Sequence, residues 1–160
     1  MKRHAYLLVF ILGFPGCLVW DRLELPSSSI PRSAIQAELE GIFSRSFLLA
    51  LQARGLPGDL KSHALEKALI GGKVAAGLVR LDEATHFSKE SVGRCLPVYR
   101  ELTAGWLLIL TDYQVSKRGG FSREAIDTIF KDSLGPASVL HSFCALEAAG
   151  PIVSVDALNF

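Results

Sequence analysis

Read for the spacing of apolar and polar positions, the chain is organised around the stretch from Ser88 to Tyr113. Tyr99, Leu102, Trp106, Ile109 and Tyr113 recur at steps of three and four, and Leu107, Leu108 and Leu110 fill the other side of the same turns. The pattern predicts a helix that is apolar on nearly every face from Ala104 onward and needs neighbours all round, with Trp106 in the core. Pro97, two residues after Cys95, either kinks this helix or marks its first turn.

Ahead of it, Ile35, Leu39, Ile42, Phe43, Phe47 and Ala50 trace one face of a helix running to about Arg54, with Ser33 and Gln36 at capping-box spacing. Gly55-Leu56-Pro57-Gly58-Asp59 is a stop signal that offers Asp59 as the next N-cap. A second helical pattern carries Leu60, Ala64, Leu65, Ala68 and Leu69, then Val74, Leu78, Val79 and Leu81, interrupted by Gly71 and Gly72. Either the glycines let another helix approach closely, or they end the helix and leave residues 73–81 as a strand. The first reading is preferred. Residues 82–87 form a turn and Ser88 caps the central helix. Ser122 caps a helix to Leu134, and Gly135-Pro136 separates it from a last helix with Val139, Leu140, Phe143, Cys144 and Leu146.

The expected fold is therefore mainly α, an irregular bundle of about five helices following an N-terminal signal segment. The alternative is an α+β fold with residues 73–81, 106–115 and 152–158 as a small three-stranded sheet. A chain of 160 residues, 49% hydrophobic, suits one globular domain, assigned to residues 33–160. A formal charge of +1 argues against a dedicated nucleic-acid binder, since phosphate recognition needs a concentrated basic surface.

Lys2, Arg3 and His4 precede an apolar run from Ala5 to Phe14, the layout of a secretory signal, assigned to residues 1–16. With the proline that follows, the run is short for a span of roughly 30 Å. It ends Phe14-Pro15-Gly16-Cys17, which resembles the bacterial lipoprotein signal, although Phe14 and Pro15 depart from the usual pattern. The resemblance implies lipidation at Cys17, membrane anchoring on the periplasmic side, and residues 17–32 as a tether or linker. Alternatively, Cys17 is an ordinary small apolar residue in an uncleaved anchor or a plain signal of a secreted protein. Setting Cys17 aside leaves Cys95 and Cys144 as the expected disulfide bond of an exported chain; two separate buried thiols are the alternative.

Chemistry is sparse. Gly72-Lys73 lacks the upstream glycine of a phosphate loop, and Val74 stands where a hydroxyl would hold magnesium. His63 and Glu66 share a helical face at i, i+3 and read as a solvated ion pair. His86, His141 and Glu101 are the least poor candidates for a scattered hydrolase site. No catalytic, metal or cofactor residue is assigned. Lys117, Arg118 and Arg123 form a basic patch around a glycine loop where an acidic partner could dock. The functional expectation is a small exported, lipid-anchored envelope protein that acts by protein binding, as an assembly helper, inhibitor or immunity factor. The alternatives are an exported hydrolase, or a secreted helical signalling factor if the source is an animal.

Overall fold

A computed structural model of the chain describes residues 29–79, 81, 85–139 and 146–149. Among them the fold is mainly α. Four helices, α1 (Arg32–Ala53), α2 (Lys61–Leu78), α3 (Lys89–Arg118) and α4 (Arg123–Val139), accompany a two-stranded antiparallel sheet of β1 (Ser29–Pro31) and β2 (His86–Ser88). Residues 73–78 and 106–115 are thus helical. The signal segment 1–16, residues 17–28 of the tether, Cys17, His141, Cys144 and the 152–158 strand all lie outside the described residues.

α1 and α2 form one antiparallel hairpin and α3 and α4 another, and the hairpins lie side by side with α1 against α3 and α2 against α4. α1 and α3 run in the same direction, because Glu38 pairs with Arg100 near one end and Arg54 with Asp112 near the other. The sheet fixes that register. Ser29 pairs with Ser88, Ile30 with Phe87 and Pro31 with His86, so the starts of α1 and α3 are joined. The last residues of the stretch 17–32 take part in the fold: Ile30 packs beside fully buried Phe87, and Arg32 N–H donates to the Thr85 carbonyl at 2.9 Å.

Local chemistry explains the helix ends. Ser88 Oγ accepts from Ser91 N–H to cap α3, and Ser122 Oγ accepts from Ala125 N–H at 3.1 Å at the start of α4. α1 and α2 differ from expectation, since neither has a side-chain cap. Pro31 takes the N-cap position of α1, which leaves Ser33 inside the first turn, and a 3-10 turn over Gly58–Leu60 leads into α2. Both α1 and α3 stop where a glycine adopts a left-handed conformation, Gly55 at φ +77° and Gly119 at φ +71°. The following amides then return to the last carbonyls, Leu56 N to Leu51 O at 3.2 Å and Gly120 N to Val115 O at 3.0 Å.

Two prolines lie inside helices. Pro97 is well within α3, and Gly135-Pro136 does not separate two helices but lies in α4. Pro136 lacks the N–H that would donate to the Asp132 carbonyl. The core has two clusters. One joins Phe43, Phe47, Leu51 and Ala68 to Leu107, Leu110, Ile126 and Ile129; the other gathers Ile35, Leu39 and Ile42 around Phe87, Val92 and Tyr99. Burial pushes the Tyr99 phenol above its ordinary pKa, with Thr103 one turn on offsetting part of the rise.

The expectation that α3 is surrounded is overturned. Its buried positions face α1 and α4, whereas Val98, Leu102, Trp106, Ile109 and Tyr113 are between 40% and 67% exposed. A four-helix ring gives each helix only two neighbours, so an all-round apolar helix keeps one flank in solvent. Trp106 belongs to that flank and not to the core. No helix among the described residues is long and apolar enough to cross a membrane.

Candidate functional site

A groove lies between α1 and α3. Ile42, Arg45, Ser46 and Leu49 line it from α1, and Arg100 and Ala104 from α3, around a volume of about 500 Å³. The spacing that buries Ile42 and Phe43 puts Arg45 and Leu49 one and two turns on at the groove rim. The two guanidiniums converge on one carboxylate: Glu38 Oε1 accepts from Arg45 at 3.3 Å and from Arg100 at 3.2 Å. Two cations against one anion leave the groove with an excess positive charge. Leu49, 63% exposed, supplies an apolar lip. Charged donors beside an apolar wall suit a ligand group that is acidic at one end and apolar at the other.

A second polar cluster ties α2 to α4. His63 Nε2 lies 2.9 Å and Lys67 Nζ 3.1 Å from Asp127 Oδ1, and the Lys67 ammonium also sits 5.6 Å from the centre of the Phe130 ring. This corrects the expected pairing of His63 with Glu66: the parallel placement of α2 and α4 brings Asp127 to the imidazole, and Glu66 stays exposed. His63 and Asp127 resemble the orienting half of a nucleophile, base and acid arrangement. Among the described residues, however, no serine or cysteine is hydrogen-bonded to the imidazole. No group of three or more His, Cys, Asp or Glu side chains could hold a metal among them either.

Burial alone would raise the Asp127 pKa, but hydrogen bonds from Lys67 and His63 and their charges outweigh it and hold the carboxyl below its ordinary range. The folded value is the depressed one. Its contribution to stability is therefore present above the unfolded-chain pKa and lost as pH falls through the folded value. Urea unfolding should find Asp127→Asn less stable than wild type at neutral pH, with the difference closing between about pH 5 and pH 2. A difference that stays constant across that window would mean that the ion contacts contribute nothing.

The other candidates are dispersed. His86 lies on β2, its Nδ1 3.1 Å from Thr85 Oγ1, and Glu101 is exposed roughly 18 Å further along α3 by helix rise. The basic patch is partly neutralised. Arg118 pairs with Glu124 at 3.0 Å, Lys117 lies over the Tyr113 ring at 5.5 Å, and Arg123 is exposed at the start of α4. Cys95 is buried and disulfide-bonded. Sequence spacing could not find the groove, because Arg45 and Arg100 meet only through the parallel register of α1 and α3. No protein family, characterised protein or solved structure matches the chain.

Proposed function

We propose that the protein is a small exported helical binding protein that docks another envelope protein, as an assembly helper, inhibitor or immunity factor, with the groove between α1 and α3 as the contact. The observation that carries this reading is the convergence of Arg45 and Arg100 on Glu38 beside the exposed side chain of Leu49. Arginine next to exposed aliphatic surface is the composition of a protein-binding hot spot, and an acidic side chain of a partner would compete with Glu38 for both guanidiniums. The basic and apolar N-terminal leader supports export, and Phe14-Pro15-Gly16-Cys17 supports anchoring through Cys17.

In this reading Cys95 pairs with Cys144. The chain at residues 146–149 is fastened to the start of α3: Ser88 N–H donates to the Glu147 carbonyl at 2.8 Å, and Glu147 N–H to Ser91 Oγ at 3.2 Å. Leu146 packs in the same cluster as Leu96, the neighbour of Cys95. Cys144 stands two residues before Leu146 in the sequence.

A photo-crosslinking residue at position 49, in the cells that make the protein, tests the groove. The expected result is one heterologous adduct that falls roughly tenfold in the Arg45→Gln/Arg100→Gln variant and persists when Lys131, exposed on α4, is changed to glutamine. No adduct, or one indifferent to the two arginines, rejects the groove as the contact.

A further inference from the structure

The exposed flank of α3 has a regularity that the groove does not use. Val98, Leu102, Trp106, Ile109 and Tyr113 follow steps of 4, 4, 3 and 4. At 100° per residue they fall within an arc of about 80° and along about 22 Å of helix. Eleven residues carry three of those steps, a period of roughly 3.67, so the stripe runs nearly straight along the helix and a second straight helix could follow it. Gly105 lies at its midpoint, and a Cβ built there meets nothing within 4 Å, so the stripe has a hole at its centre.

We infer that this stripe is the interface of an antiparallel homodimer, two copies of α3 packed about a two-fold axis between Gly105 and Trp106. That axis sets Val98 opposite Tyr113 of the second copy and Leu102 opposite its Ile109. Trp106 of each copy then fills the hole over the other's Gly105. An isologous contact requires such a self-complementary pattern, and here every large residue of the stripe has an apolar or glycine counterpart.

The exposed parts of the five side chains amount to roughly 500 Å² per copy, about 1,000 Å² in all, which reaches the lower bound for a specific interface. The dissociation constant should accordingly be on the order of ten micromolar. One edge of the seam opposes association. Glu101 of one copy comes within two residues, about 3 Å along the axis, of the level of Asp112 of the other, and Asp112 is balanced by Arg54 at 3.0 Å. Arg100 and Ala104 of the groove lie about 160° around α3 from the stripe, so the dimer and the groove stand or fall separately.

Sedimentation velocity of the isolated chain from low to high micromolar concentration tests the dimer. Wild type should pass from the monomer mass to twice that mass. Ile109→Glu should raise the dissociation constant at least about a hundredfold with an unchanged circular dichroism spectrum. Gly105→Leu guards against a variant that fails to fold, because it improves helix propensity and points into open space in the monomer, yet plugs the hole. It should weaken the dimer about tenfold, and Glu101→Gln should tighten it. A wild-type monomer at every concentration overturns the inference, and a dimer indifferent to Gly105→Leu or weakened by Glu101→Gln overturns the register.

Discussion

Gly72→Val should lower the stability of the domain by about 3 kcal/mol, a large share of what holds a protein of this size folded. A Cβ at this position collides with Ser44 Oγ and comes within 2.7 Å of the Glu40 carbonyl oxygen. That carbonyl is part of the α1 backbone and cannot turn aside. The hydroxyl is also committed, since Ser44 Oγ donates to the Ala68 carbonyl at 2.9 Å and so pins α1 to α2. The side chain therefore has to push the helices apart, unpacking Phe43, which lies against Gly71 one position away. The gain in helix propensity from replacing glycine, at most about 1 kcal/mol, is too small to offset this. Gly77 is the control: a Cβ there meets nothing within 4 Å, and Gly77→Ala should raise stability by about 0.5–1 kcal/mol. Urea titrations followed by circular dichroism measure both. A Gly72→Val midpoint equal to wild type would show that α1 and α2 do not approach as closely as their backbones indicate.

The same glycines show what the sequence made legible. Gly71 and Gly72 interrupt an otherwise helical pattern, and small residues at successive turns permit close approach of a second helix; the structure supplies α1 as that helix. The apolar face of α1 was legible for a similar reason. Its period of 3.6 holds over about four turns, and Ile35, Leu39, Ile42, Phe43, Phe47 and Ala50 are all buried. Strand pairing was not. β1 and β2 are three residues each, too short to show alternation, and they are fixed by backbone hydrogen bonds that carry no side-chain signature.

Periodicity also reports how apolar a helix is, but not how many neighbours it has. For α3 the apolar positions outnumber those that a four-helix ring can cover, and the core does not extend to Trp106. Polar contacts were hidden by distance along the chain. His63 finds Asp127 and Glu38 finds Arg100 only because the two hairpins lie parallel, and nothing local to either residue specifies that. The groove, built from exactly such a long-range meeting of side chains, could only emerge with the fold.

Phe47→Ala should cost about 4 kcal/mol, enough to leave a substantial unfolded population under mild denaturant. Phe47 is fully buried at the middle of α1, its ring stacked on Phe43 with centroids 6.1 Å apart, in the cluster shared with Leu107, Ile126 and Ile129. Removing the ring loses its transfer free energy and its aromatic partner, and it opens a cavity that three helices would have to move together to fill. Phe47→Leu keeps most of the volume and should cost about 1.5 kcal/mol, whereas Leu49→Ala, two residues on and facing water, should cost less than about 0.5 kcal/mol. The order Ala, Leu, then the Leu49 control should appear in the urea midpoints with an unchanged slope, because the surface exposed on unfolding is nearly the same in each. Because Arg45, Ser46 and Leu49 flank Phe47 on the same helix, the crosslink from position 49 should decline in Phe47→Ala with the folded fraction. If the folded fraction falls while the crosslink is undiminished, the groove is not what the partner recognises, and an equal midpoint for Phe47→Ala and Leu49→Ala would mean that α1 does not bury the face that its sequence period defines.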